Sequence, residues 1–121
     1  MIQSELQADT GILIVRPQES LAAEDFENLA KVADPYIAEH GKLNGLMIEA
    51  NRFPGWKSLA GLVAHVRFVH DHHRKISRVA VVTDDSTLSA LPAIAKHFVA
   101  AEVRHFTTAQ REEALQWLGE D

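Results

Sequence analysis

The chain has 121 residues, a formal net charge of −5, 46% hydrophobic and 24% charged residues and only four prolines; this is the balance of a single folded domain with a real core, and it excludes a disordered or low-complexity polypeptide. Lysines and arginines are scattered rather than gathered into a stripe, so nothing tracks a phosphate backbone and nucleic acid is not an expected partner. The absence of cysteine excludes disulfides, thiolate metal sites and cysteine nucleophiles, and agrees with a reducing compartment.

The first seven residues alternate, with Ile2, Ser4 and Leu6 on one side and Gln3, Glu5 and Gln7 on the other, as a half-exposed edge strand does. ADTG supplies turn chemistry, and ILIVR at 12–16 is a continuous apolar run suited to a strand covered on both faces, so the two form a hairpin. After Pro17, Leu21, Phe26, Leu29, Ala30, Val32 and Ala33 recur at helical spacing. Glu24, Asp25 and Glu27 lie near the positive end of that helix, and Ser20 is the candidate cap. Pro35 predicts a kink or a second short turn running to His40, before Gly41 ends the element. LNGLMIEA at 43–50 and SRVAVVTD at 77–84 read as strands on either side of a helical pattern from 57 to 75, and AEVRHF at 101–106 reads as the last strand. Helical spacing returns over 86–98 and 108–118, with Pro92 marking either a kink or the first turn of a helix that starts there.

The order β-β-α-β-α-β-α-β-α predicts an α/β fold in one domain over residues 1–121: a mainly parallel sheet of about five strands with four crossover helices and an antiparallel first strand. No run approaches the ~18 apolar residues of a membrane span, and MIQSELQADTG carries neither a basic nor an apolar leader. A cytoplasmic location is the expectation.

HVRFVHDHHRK, residues 65–75, holds four histidines. A helical wheel at ~100° per residue makes Leu59, Leu62, Val66 and Val69 the buried stripe, continued by His70 and His73. It sets His65 and His72 on one flank and turns Ala60, Arg67 and Asp71 outward. No histidine pair has the i, i+4 spacing of a helical zinc site; His70 and His73, at i, i+3, would bind only with outside help. Histidines and the cations Arg74 and Lys75 gather at a helix C-terminus because the dipole favours positive charge there. Proton sensing is the alternative role for this cluster. No metal and no cofactor is assigned.

EANRFPGWKSLAGL, after the third strand, places Phe53, Pro54 and Trp56 where small polar residues are usual. In parallel α/β sheets ligands bind beyond the carboxyl ends of the strands, where this loop meets Asp84 and Asp85. Phe53, Trp56 and Lys57 with Asp84 and Asp85 therefore form the candidate binding site. The rival reading makes Phe53 and Trp56 a staple that closes the core beneath the helix. Phe68, almost opposite the buried stripe and near Gly61 and Ala64, adds a second apolar strip suited to a partner. Glu49, Asp84 and Asp85 suggest an acidic magnesium site, against the simpler role of Asp85 as a helix cap with Ser86. Ser58, at a helix N-terminus, is a candidate phosphosite. The glycine motifs of nucleotide cradles and of a nucleophile elbow are missing, so the chain is not read as an enzyme.

HGKLNGLMIEA, the FPGW loop with its following helix, RVAVVTDD and AEVRHFTTAQREEALQWL together resemble the SpoIIAA-like family of small bacterial proteins. That family is related to STAS domains and, in fold, to CRAL-TRIO lipid-binding domains, and the resemblance spans about residues 2 to 119. It implies successive β/α turns wound in one direction with an antiparallel lead strand. STAS-type antagonists of anti-sigma factors are similar but carry a phosphorylatable serine in D-S-S-G at the start of the equivalent helix. This sequence has WKSLAG there, with Ser58 but without the preceding aspartate. The resulting expectation is a non-enzymatic binding or regulatory domain that takes a small apolar, amphipathic or lipid-like ligand or a protein partner. If helices cover only one face of the sheet, self-association as a dimer or higher oligomer follows. The alternatives are a STAS-type phosphoswitch at Ser58 and a metal-dependent hydrolase using Asp84, Asp85 and the histidine cluster.

Overall fold

The opening hairpin sets one edge of the sheet. In the computed structural model, which describes residues 2–18, 21–50, 59–84 and 102–120, β1 (Ile2–Gln7) pairs antiparallel with β2 (Ile12–Pro17), Leu6 opposite Leu13 and Ile2 opposite Pro17. The amide of Gly11 donates to the Gln7 carbonyl at 2.9 Å and closes the turn. β3 (Leu43–Glu49), β4 (Ile76–Val82) and β5 (Glu102–Phe106) then add in parallel, in the spatial order β1-β2-β3-β4-β5. This is the α/β sheet with an antiparallel first strand that the residue pattern predicts.

Successive strands side side by side, joined by right-handed crossovers, send their helices to the same face. Accordingly α1 (Ala23–His40) and α2 (Leu59–His72) share one face, packing Phe26, Leu29, Ala33, Ile37, Phe68 and Val69 on Leu13, Val15, Leu46, Val79 and Val81. The last helix, α3 (Arg111–Gly119), has no further strand to feed and folds back over the other face, where Ala114, Trp117 and Leu118 meet Ile12, Ile14, Met47, Ala80, Val82 and Phe106. Alternate strand residues thus enter two cores, which is why the strands read as continuous apolar runs. The close approach of α3 depends on Gly45, where a Cβ would stand 2.7 Å from Leu118 Cδ2 and 2.8 Å from its Cβ. Because α3 covers the second face, the condition under which the apolar sheet calls for a partner subunit is not met.

One local expectation is corrected and the choice left at Pro35 is narrowed. The cap of α1 is Ala22, whose amide donates to the Asp25 carboxylate at 2.8 Å, so the acid of the first turn does the work assigned to Ser20. α1 also continues through Pro35 as one helix rather than restarting, and ends where the Gly41 amide donates to the Ile37 carbonyl at 2.7 Å. A 3-10 turn, His73–Lys75, links α2 to β4, and another, Thr108–Gln110, leads into α3. The expected helix over 86–98, with Pro92, lies outside the described residues. Among the described residues, no helix is long and apolar enough to cross a membrane.

Candidate functional site

Glu49 ends β3 on the side of the sheet facing α3, two residues on from Met47. Its carboxylate lies between two guanidinium groups: Arg111 Nε, at the first residue of α3, donates to Oε2 at 3.0 Å, while Arg16 Nη2, near the end of β2, forms an ion pair 3.2 Å from Oε1, a buried oxygen that accepts no hydrogen bond among the described residues. Arg16 also reaches Glu5 of β1 at 3.9 Å. The hydrogen bond to Glu49 raises the Arg111 guanidinium above its ordinary value, so this pair is a fixed charge. Glu49 is largely enclosed and committed to guanidinium groups, which makes it a strut joining β1, β2, β3 and α3 rather than a free ligand for magnesium.

Asp84 follows β4 at the same end of the sheet. It accepts from the Thr108 amide at 2.9 Å and from the Thr108 hydroxyl. Those two bonds, with a smaller contribution from His105, hold its carboxyl below the usual carboxylate range. His105 Nε2 bonds the Thr83 carbonyl at 3.0 Å, and the Thr107 amide donates to Gln110 Oε1 at 3.0 Å. Asp84 thus anchors the turn that starts the last helix. Phe53, Trp56, Lys57, Ser58 and Asp85 lie outside the described residues.

α2 is rotated from the sequence expectation. Phe68 is not an outward strip: it is only 8% exposed, with its ring centroid 4.1 Å from that of His72 and 6.1 Å from that of Phe26. His65 stacks on Phe26 at 4.9 Å. The inward stripe is therefore Gly61, His65, Phe68 and His72, with Val69 beside it. Gly61 sets the approach, because a Cβ there would lie 2.3 Å from the Leu21 carbonyl oxygen. The outward stripe is Val63, Val66, Arg67 and His70, at i, i+3, i+4 and i+7. Val63 at 48% and Val66 at 49% are the exposed large hydrophobics among the described residues.

The histidine cluster also resolves. His70 does not continue a buried stripe; it is exposed and pairs with Asp71 at 3.3 Å. His72 is the buried member, 8% exposed, with Nδ1 2.7 Å from the Phe68 carbonyl and Nε2 2.7 Å from Asp34 Oδ1 of α1. Nothing is described of the His73 side chain. These histidines precede β4 whereas Asp84 follows it. The seven residues of β4, at ~3.3 Å each, keep them roughly 23 Å apart, so the sheet does not assemble Asp84 and the histidines into one hydrolytic centre. Among the described residues, no three His, Cys, Asp or Glu side chains are grouped to hold a metal ion.

No curated protein matches the chain. Among solved structures it is similar to an uncharacterized protein of the DUF3478 family, with a SpoIIAA-like fold, from Shewanella loihica PV-4, at 22% identity and a TM-score of 0.71 over 98% of this chain and 92% of that one. At that identity the likeness concerns the fold alone. The SpoIIAA-like family model matches residues 12–119, across both cores and all three helices described above, and the chain belongs to the SpoIIAA-like family.

Proposed function

We propose that this chain is a non-enzymatic binding domain whose partner is another protein, received on the outer face of α2. The observation that carries this reading is the placement of Val63 and Val66 one turn apart on an exposed stripe, flanked by Arg67 and His70, while the other large apolar side chains described are drawn into the two cores. A helix face is convex, and two valines within a polar rim suit the surface of a second macromolecule better than a small apolar ligand, which takes a concavity. Catalysis is not part of the proposal, because Glu49 and Asp84 are both committed to anchoring contacts.

Native mass spectrometry of the protein isolated from its own host, beside a Val63→Asp/Val66→Asp variant, tests this. The expected result is a second polypeptide on the wild type that the variant lacks, with unchanged circular dichroism. A bare wild-type chain, or an equal complement on the variant, contradicts it. A retained small apolar molecule would support the ligand reading instead.

A further inference from the structure

We infer that two copies of this chain join edge to edge through β5, antiparallel about a two-fold axis at Val103. The inference does not rest on the outer face of α2. β5 (Glu102–Phe106) is an end strand of the sheet, bonded to β4 on one side and, among the described residues, to no strand on the other. The Thr83 amide donates to the Phe106 carbonyl at 3.0 Å, which turns the backbone groups of Phe106, and by alternation those of Arg104 and Glu102, toward β4. The amide and carbonyl of Val103 and of His105 therefore point outward, as a template for a further strand.

Charge order selects the occupant and the register. An edge that is kept unpaired usually carries lysine, proline or a bulge, whereas β5 reads EVRHF, with acid and base two residues apart. Placing Val103 opposite Val103 lets the two residues exchange both backbone bonds. Glu102 of each copy then faces Arg104 of the other, in the pairs whose Cα atoms come closest, ~4.5 Å. The next register with matched backbone groups, Val103 opposite His105, sets Arg104 on Arg104 and is repelled. Glu102 and Arg104 lie on the side of the sheet covered by α3, as Phe106 does. Arg104 is exposed, its guanidinium carbon over the Phe106 and Trp117 rings at 5.0 and 5.2 Å, and among the described residues it pairs with no carboxylate. Glu102 is exposed and meets Arg78 at 3.6 Å, which leaves it room for a second guanidinium. Because each copy presents the same strand, the pairing closes as a dimer and does not propagate.

Sedimentation equilibrium of the purified chain over a dilution series tests this, beside hydrogen exchange of the wild type. The mass is expected to rise with concentration from one chain to a pair. Glu102→Arg is expected to weaken the association by about tenfold or more, because it turns both attractive pairs repulsive. Glu102→Arg/Arg104→Glu is expected to restore it by reversing both signs, with circular dichroism confirming that the variants are folded. The Val103 amide decides without any variant: it exchanges freely in a lone chain and is expected to slow by about tenfold or more where the dimer forms. A single-chain mass at every concentration overturns the proposal, as does a Val103 amide indifferent to concentration. A dimer untouched by Glu102→Arg, or a folded double variant that stays single, overturns it equally.

Discussion

A carboxylate between two guanidinium groups stabilises a fold mainly by what its loss would expose. Replacing Glu49 with alanine would leave Arg16 and Arg111, 3.2 and 3.0 Å from it now, facing the same emptied space. Glu49→Ala is expected to cost about 1–3 kcal/mol in urea unfolding and to exceed Arg16→Ala, which leaves the Arg111 bond in place. Asp84 contributes in a pH-dependent way. Its carboxyl is held below the ordinary 3.8 by the Thr108 bonds, so its contribution is complete above that value and is lost as pH falls below it. The stability difference between wild type and Asp84→Asn, followed by thermal melts, should therefore shrink on acidification through the carboxylate range. Gly61 inverts a familiar rule: alanine gains ~1 kcal/mol over glycine inside a helix, but here its methyl would meet the Leu21 carbonyl oxygen at 2.3 Å. Gly61→Ala is expected to lower stability by about 1–3 kcal/mol net, the cost of overpacking against backbone.

At the scale of elements, α3 determines whether the sheet has one core or two. Trp117 lies between Arg78 and Arg104, whose guanidinium carbons sit 5.3 and 5.2 Å from its ring, and Phe106 is 5.8 Å away. Arg78 also donates to the Trp117 carbonyl and pairs with Glu102 and Glu120 at 3.6 and 3.5 Å. Trp117→Ala removes the centre of that cluster and is expected to cost about 3–5 kcal/mol, measured by denaturant midpoint. The strands were legible in sequence because a sheet covered on both faces must be written as uninterrupted apolar runs, and 12–16, 43–50 and 77–84 are such runs. The rotation of α2 was not legible. Two stripes compete there, Leu59, Leu62, Val66 and Val69 against Gly61, His65, Phe68 and His72, and apolarity favours the first. Val69 is buried as the first requires, but Val66 is exposed while Phe68 and His72 turn inward, because the cost of burying His72 is met by Asp34, 38 residues earlier, and because Gly61 permits close approach. The Glu49–Arg111 pair spans 62 residues, and no local pattern announces it.

Taken as a whole, the molecule spends its apolar side chains on two cores divided by one sheet, and the carboxyl ends of the strands are tied together by Glu49 and Asp84. The surface that keeps apolar groups in reserve, among the described residues, is the outer face of α2. Its partner-binding role is tested most directly by placing a photo-crosslinking side chain at Val66, and at exposed Gln116 of α3 as a control, in cells of the natural host. The account predicts a protein adduct of discrete mass from position 66 and none from 116. Equal adducts at both positions, or none at 66, would contradict it.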